Sequence, residues 1–203
     1  MIKIEKTEIY GWESAIRGMR NPMNSWGRSD SIFSDGNVKV GDNDLKLMNN
    51  LSKSGADHAK FMRFVTVTTD IVAPLYWWKE YDTYKVGTVS NSCSTMHKIH
   101  EKEFVLDGFS HEHLDDISNR TLQLIVENLN LVRDAYVSTN DKKYWYQIIQ
   151  LLPSSYNQKR TIQLNYAVLK NMYHARKNHK LDEWRDFCKW IEKLPYAKEL
   201  IVA

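Results

Sequence analysis

A chain of 203 residues with 42% hydrophobic and 26% charged side chains is long enough to bury about 70% of its unfolded surface, and too apolar to stay disordered. The net charge of +3 falls short of the basic face that duplex binding needs, so nucleic acid is not the expected partner, although a local anion site is allowed. Cys93 and Cys188 lack paired spacing, which excludes a disulfide scaffold and a thiolate metal centre; with no signal core and no run of eighteen apolar residues, the expected setting is soluble, reducing and cytoplasmic, with no membrane partner.

The opening MIKIEKTEIY alternates Ile2 and Ile4 with Lys3 and Glu5 and predicts a strand, followed by a short helix from Trp12 to Met19. From Arg20 to Asp44 the chain turns to Asn, Gly, Ser, Asp and Pro, a long surface loop of the kind that is functional or mobile. Asp44 to Ser54 resumes helical spacing through Leu45, Leu47, Met48 and Leu51, with Gly55 as its stop. Ala59 to Thr69, rich in β-branched and aromatic residues, predicts the best strand of the chain. Asp70 is then read as the cap of a helix that carries Pro74 in its first turn and ends near Tyr81. After a loop from Thr83 to Asp107 the spacing predicts helices over Leu114 to Val137 and Lys143 to Leu152, the second stopped by Pro153. A short strand over Lys159 to Leu164 and two helices, Asn165 to Lys177 and Leu181 to Leu194, complete a single α+β domain with more helix than strand.

The stretch WWKEYDTYKVGTVSNSCSTMH, Trp77 to His97, carries more unusual chemistry than packing asks for. Gly87 would let backbone N–H groups approach an anion, while Thr88, Ser90, Ser92, Ser94 and Thr95 offer hydroxyls and Lys79 and Lys85 offer charge. Neighbouring Trp77 and Trp78 diverge by about 100° on a helix, so one is expected in the core and the other at a stacking or subunit surface. Trp77, Tyr81 and Tyr84 also make a possible stacking groove for a single strand. His97, His100, His111 and His113 match no zinc spacing, and no metal is expected.

The C-terminal segment LLPSSYNQKRTIQLNYAVLKNMYHARKNHKLDEWRDF resembles the closing segment of the flavin-dependent thymidylate synthases, the ThyX family, in its Leu152-Pro153, Asn165 and Arg176. GADHAKFMRF resembles the family's Glu-His-x-x-Phe strand, with His58 at the histidine and Asp57 in place of the acid. The signature departs from the pattern: Trp78-Lys79-Glu80 stands where Arg-His-Arg would be, Val86 near the usual Glu, Thr83 and Thr88 in place of serines, Ser90 in place of the closing Arg, and Ile149 in place of a second Arg. Each lost Arg would have given a nucleotide phosphate a charge-assisted pair of about 1.5–3 kcal/mol.

The resemblance implies a ThyX-like fold with a small, mostly antiparallel sheet, a homotetramer with shared active sites, and reductive methylation of dUMP to dTMP. FAD would be the cofactor, with NADPH and methylenetetrahydrofolate as co-substrates. His58, Lys79 and Asn165 would then face the cofactor, Lys85, Thr88, Ser90 and Arg176 the nucleotide, and Arg176 would polarise the pyrimidine ring. Each has a plainer reading: His58 as a strand-end histidine, Asn165 as a helix N-cap, Arg176 as a complement to a helix dipole. Loss of the Arg-rich signature leaves open a non-catalytic nucleotide-binding relative, a sensor or sponge.

Overall fold

The computed structural model describes residues 2–34 and 37–203; Met1, at the head of the predicted first strand, and Asp35 and Gly36, within the predicted loop, lie outside the described residues. In chain order the elements are β1 (Lys3–Tyr10), α1 (Trp12–Arg20), β2 (Ile32–Ser34), β3 (Asn37–Lys39), α2 (Asp42–Lys53), β4 (Thr66–Pro74), α3 (Leu75–Tyr81), β5 (Val89–Ser92), α4 (Asp116–Thr139), α5 (Lys142–Leu151), β6 (Asn157–Asn165), α6 (Tyr166–Arg176) and α7 (Asp182–Ile191). The fold is α+β, with more helix than strand and a small antiparallel sheet in the order β1-β4-β6-β5; β2 and β3 form a separate hairpin that pairs Ile32 with Lys39 and Phe33 with Val38. Among the described residues no helix is long and apolar enough to cross a membrane.

The chain divides into two compact units. One is built mainly from Ile71–Thr83 and Asn91–Arg160. Its core is the helical hairpin α4–α5, in which Leu122, Val126, Leu129 and Val132 recur at helical spacing and bury against Ile148 and Phe109. Asp115 caps α4 by accepting from Ser118 N at 2.8 Å, and Asn140, at φ 53°, ends it with a bond from its own N–H to Tyr136 O. Asn130 holds the preceding loop like a backbone surrogate, accepting from Phe104 N and donating to Phe104 O, both at 2.8 Å.

α3 overturns two expectations. Asp70 is no helix cap: it lies inside β4, where its carboxylate accepts from Thr161 Oγ1 at 2.6 Å, and the helix begins only after Pro74. The β-branched run Thr66, Val67, Thr68, Thr69, Ile71, Val72 outweighs the capping signal. Trp77 and Trp78 are both fully buried, at 0% exposure, because a helix of two turns can be packed on more than one side. Trp78 Nε1 donates to Gln158 O at 3.0 Å and the Arg160 guanidinium sits 4.3 Å from the centre of its ring, while Trp77 lies 5.3 Å from the Tyr81 ring. With Trp77 and Tyr81 interior, the stacking groove expected for a single strand does not exist.

The other unit is built mainly from Ile4–Asp70, Tyr84–Ser90 and Thr161–Ala203. Ile16, Met48, Phe61, Leu169, Trp184 and Leu200 are among its buried side chains. The segment predicted as strand from Ala59 splits instead: Ala59–Arg63 is a 3₁₀ helix and extended structure starts at Thr66. Phe61 and Met62, adjacent in sequence, both bury on that turn. Gly11, at φ +89°, is obligatory, since a Cβ there would fall 1.9 Å from Phe64 O.

The predicted loop from Arg20 to Asp44 contains the β2–β3 hairpin and is fastened at its ends. Asp44, 0% exposed, accepts from Arg20 Nε at 2.6 Å, Ser29 Oγ at 2.7 Å, Ser31 Oγ at 2.6 Å and the backbone N–H of Asp30 and Ser31. Burial would raise its pKa, but the hydrogen bonds from Ser31, Ser29 and Arg20 and the Arg20 charge outweigh that and hold it below the usual carboxylate value. Asp30 caps α2 from a distance, accepting from Asn43 N at 2.9 Å and Asp44 N at 3.1 Å where Gly41 has no side chain to do so.

Candidate functional site

The residues singled out by sequence gather mainly on one short loop and at the two ends of α6. Asn165, the last residue of β6, accepts from Val168 N at 3.1 Å and is therefore the N-cap of α6. Gly87 packs over that cap at φ +75°, so close that a Cβ would meet Val168 Cγ2 at 3.1 Å and Asn165 Nδ2 at 3.2 Å. Thr88 Oγ1 donates to Tyr84 O and closes the turn 84–88 from within. Lys85, within that turn, and Ser90, just after it, are exposed.

Arg176, in the last turn of α6, is held by aromatic side chains that sequence reasoning did not assign to it. Its Nε donates to Tyr84 Oη at 2.9 Å, and its guanidinium lies 4.7 Å from the centre of the Trp184 ring and 5.5 Å from that of Tyr84. Trp184 is fully buried and Tyr84 half-buried, with 6.0 Å between their rings. A guanidinium stacked on a rigid ring and bonded at Nε has its plane fixed, which is the arrangement that lets Arg read a flat polar edge. Trp184, on α7, is brought back to Arg176 by the turn 177–181, a juxtaposition that the spacing within either helix does not signal.

His58 lines a different hollow. It is an exposed residue just before the 3₁₀ helix and not a strand end, and it opens onto a cleft of about 1270 Å³ with Arg28, Lys46 and Lys60 on its walls and Leu47, Phe61 and Phe64 among its apolar surfaces. Asp57 is the acidic side chain in that lining, and neither Asn165 nor Arg176 belongs to it. Lys79 is exposed on α3 in the other unit.

The hydroxyls expected to form a phosphate nest are partly engaged in their own turns. Ser94 Oγ accepts from Met96 N at 3.1 Å and His97 N at 2.9 Å. Cys93 is exposed, and its carbonyl accepts from Gln158 Nε2 at 2.7 Å. Arg160, which the sequence reading passed over, bridges Asp82 Oδ1 at 2.7 Å and Gln158 Oε1 at 3.0 Å under the Trp78 ring. Among the described residues no three His, Cys, Asp or Glu side chains gather as a metal would require.

The same architecture occurs in solved proteins. The flavin-dependent thymidylate synthase ThyX from Helicobacter pylori, in complex with FAD and dUMP, superposes with a TM-score of 0.72 at 18% identity, over 98% of this chain and 97% of that one. The chain has the ThyX-like fold. A second structure of the Helicobacter pylori ThyX with FAD and dUMP gives 0.71 at 17% identity, over 99% of this chain and 97% of that one. The UMP/dUMP methylase PolB from Streptomyces cacaoi, bound with 5-Br dUMP, gives 0.63 at 12% identity, over 100% of this chain and 95% of that one. No protein-family model matches the chain, and no curated protein sequence does.

Proposed function

We propose that this ThyX-like protein binds a pyrimidine deoxynucleotide at Arg176 and acts as a flavin-dependent thymidylate synthase or a close variant, methylating dUMP or a relative of it. The observation that carries the reading is Arg176 itself, its guanidinium plane set by Trp184 and Tyr84 beside a glycine turn that closes over Asn165. The full-length likeness to proteins crystallised with FAD and dUMP supports it. In this reading Arg176 donates to a pyrimidine oxygen and stabilises charge developing on the ring, while Lys85, Thr88 and Ser90 lie toward the phosphate.

The donor set fits a flavin. The His58 cleft combines apolar walls for a ring with Arg28, Lys46 and Lys60 for an anionic tail, and its volume of about 1270 Å³ accommodates a large cofactor. His58 and Asn165 would hold the group; Lys79 joins them on the strength of the resemblance alone. When bound, FAD would carry hydride from NADPH to the carbon delivered by methylenetetrahydrofolate.

His58 opens onto a cleft that Arg176 does not line, and active sites completed between copies would bring the two together. α4 offers a surface for such assembly: Ile117, Leu124 and Leu131 are 76%, 65% and 69% exposed at intervals of seven residues. A second copy laid antiparallel about a two-fold axis at Leu124 would bring Ile117 onto the other copy's Leu131 and Arg120 beside its Glu127, a self-complementary pattern of charge and apolar surface.

The test is direct. Protein incubated with FAD and desalted would retain the flavin absorption bands, and dUMP would raise its melting temperature in the wild type and not in Arg176→Ala. A colourless protein that ignores dUMP would overturn the proposal. The second reading, a nucleotide-binding relative without catalysis, rests on Trp78-Lys79-Glu80 standing where the resemblance expects Arg-His-Arg, with Trp78 turned into the core. It predicts dUMP binding with no NADPH oxidation in the complete reaction mixture.

A further inference from the structure

α1 and the segment that follows it enclose a hollow of about 480 Å³, a size within the range of small-molecule pockets. Arg20 and Asn21 also border the His58 cleft, but the other lining residues, Glu13, Ile16, Arg17, Trp26, Ser29 and Phe33, do not. The apolar walls are Ile16, Trp26 and Phe33.

These walls are set before any ligand arrives. Trp26 is 50% exposed, yet its Nε1 donates to Asn21 Oδ1 at 2.8 Å, which limits rotation of the ring. Phe33, 39% exposed, is paired with Val38 in the β2–β3 hairpin. Ser29 Oγ and Arg20 Nε both bond to the buried Asp44, so the segment that carries the two rings is fastened to α2. Two large rings held half out of water on a fastened segment are apolar surface that a plain connection does not need, and they suit a flat ring as occupant.

The charges of the hollow define what that ring carries. Arg20 is already neutralised, bonding to Asp44 Oδ1 at 2.6 Å and to the carbonyls of Ser25 and Arg28. The remaining charged lining residues are Glu13 and Arg17, one turn apart on α1, with side chains 68% and 64% exposed and 3.9 Å between Arg17 Nη1 and Glu13 Oε1. An exposed pair at that separation adds little to stability, so a ligand bearing both signs can replace it at small cost. An anion alone would meet Glu13 and a cation alone would meet Arg17, whereas a zwitterion satisfies both.

We propose that this hollow binds a free aromatic amino acid, with its ring among Trp26, Phe33 and Ile16, its carboxylate on Arg17 and its ammonium on Glu13. The proposal goes beyond the nucleotide and flavin reading and uses neither His58 nor Arg176, so its failure would leave that reading standing.

Isothermal titration calorimetry with the full chain would use L-tryptophan, tryptamine, which lacks the carboxylate, and indole-3-propionate, which lacks the ammonium. L-tryptophan is expected to bind, and each analogue to bind about tenfold more weakly, the loss of one charge-assisted contact. Arg17→Gln should weaken L-tryptophan and indole-3-propionate and spare tryptamine, while Glu13→Gln should weaken L-tryptophan and tryptamine and spare indole-3-propionate. Both substitutions lie at exposed helix positions, so both variants should melt as the wild type does. Trp26→Ala should weaken all three ligands, and Arg176→Ala should leave all three unchanged. Absence of L-tryptophan binding at millimolar concentration overturns the proposal. So does binding that Arg17→Gln and Glu13→Gln leave intact, binding that Arg176→Ala abolishes, or an analogue that binds as tightly as L-tryptophan.

Discussion

Replacing Asp44 with Ala would cut the fastening of the segment between α1 and α2. The carboxylate has five donors and no exposure, and its loss leaves Arg20, 4% exposed, as a buried cation bonded only to carbonyl and hydroxyl oxygens at Ser25 and Arg28. Removing one partner of such a pair costs about 3–5 kcal/mol. For a chain of this length each kcal/mol lowers the melting temperature by about 2–4 °C, so the expected drop is roughly 6–20 °C. Asp44→Asn, which keeps the shape and one acceptor, should fall between wild type and Asp44→Ala. Replacing both partners, Arg20→Met with Asp44→Leu, removes the orphaned charge and should recover most of the loss. Urea titration followed by tryptophan fluorescence gives the energies, and hydrogen exchange shows whether residues 21–31 lose protection first. A cost below about 1 kcal/mol for Asp44→Ala, or a double variant no more stable than the single one, would show that Arg20 and Asp44 do not act as a buried pair.

The same carboxylate sets an acid limit: its folded pKa lies below its unfolded one, so its contribution is complete above the unfolded value near 3.9 and disappears as pH falls through the folded value. Urea midpoints measured from pH 6 down to pH 2.5 should decline less steeply in Asp44→Asn than in wild type. Gly87→Val should lower stability by about 1–3 kcal/mol, through a strained φ and contacts at Val168 and Asn165, and should weaken dUMP binding with it, as thermal shift would report. Trp184→Leu should weaken dUMP binding by about tenfold by freeing the Arg176 plane, the energy of one partly buried cation–π contact, while Arg176→Lys loses more. Burial pushes the Cys188 thiol up to about 11, so a thiol reagent at pH 8 should modify exposed Cys93 quickly and Cys188 only on unfolding.

Helices with strong apolar spacing were legible. The predicted span Leu114 to Val137 is α4 displaced by two residues, and Pro153 does follow the end of α5. What misled was local chemistry shared by two structures. Asp70 ahead of Pro74 looks like a cap, yet it belongs to a strand whose partner Thr161 is 91 residues away. Ala59–Arg63 has the composition of a strand and the backbone of a 3₁₀ turn, because Phe61 and Met62 both find burial. At the candidate site Asn165 and Arg176 could be picked out as polar groups at the ends of one helix, but the rings that orient Arg176 could not, since Tyr84 lies 92 residues before it and Trp184 on the next helix after it. The pairing of Arg20 with Asp44 was equally hidden: both were read as the borders of a loop rather than as its lock.

The turn 59–63 is a party wall one side chain thick, with a chamber on each side. Lys60 and Phe61 line the His58 cleft, while Ala59, Met62 and Arg63 line a hollow of about 580 Å³ on its other side. Substitutions on this turn should be judged by what they do to both rooms, since the buried Phe61 forms part of one wall and the buried Met62 part of the other.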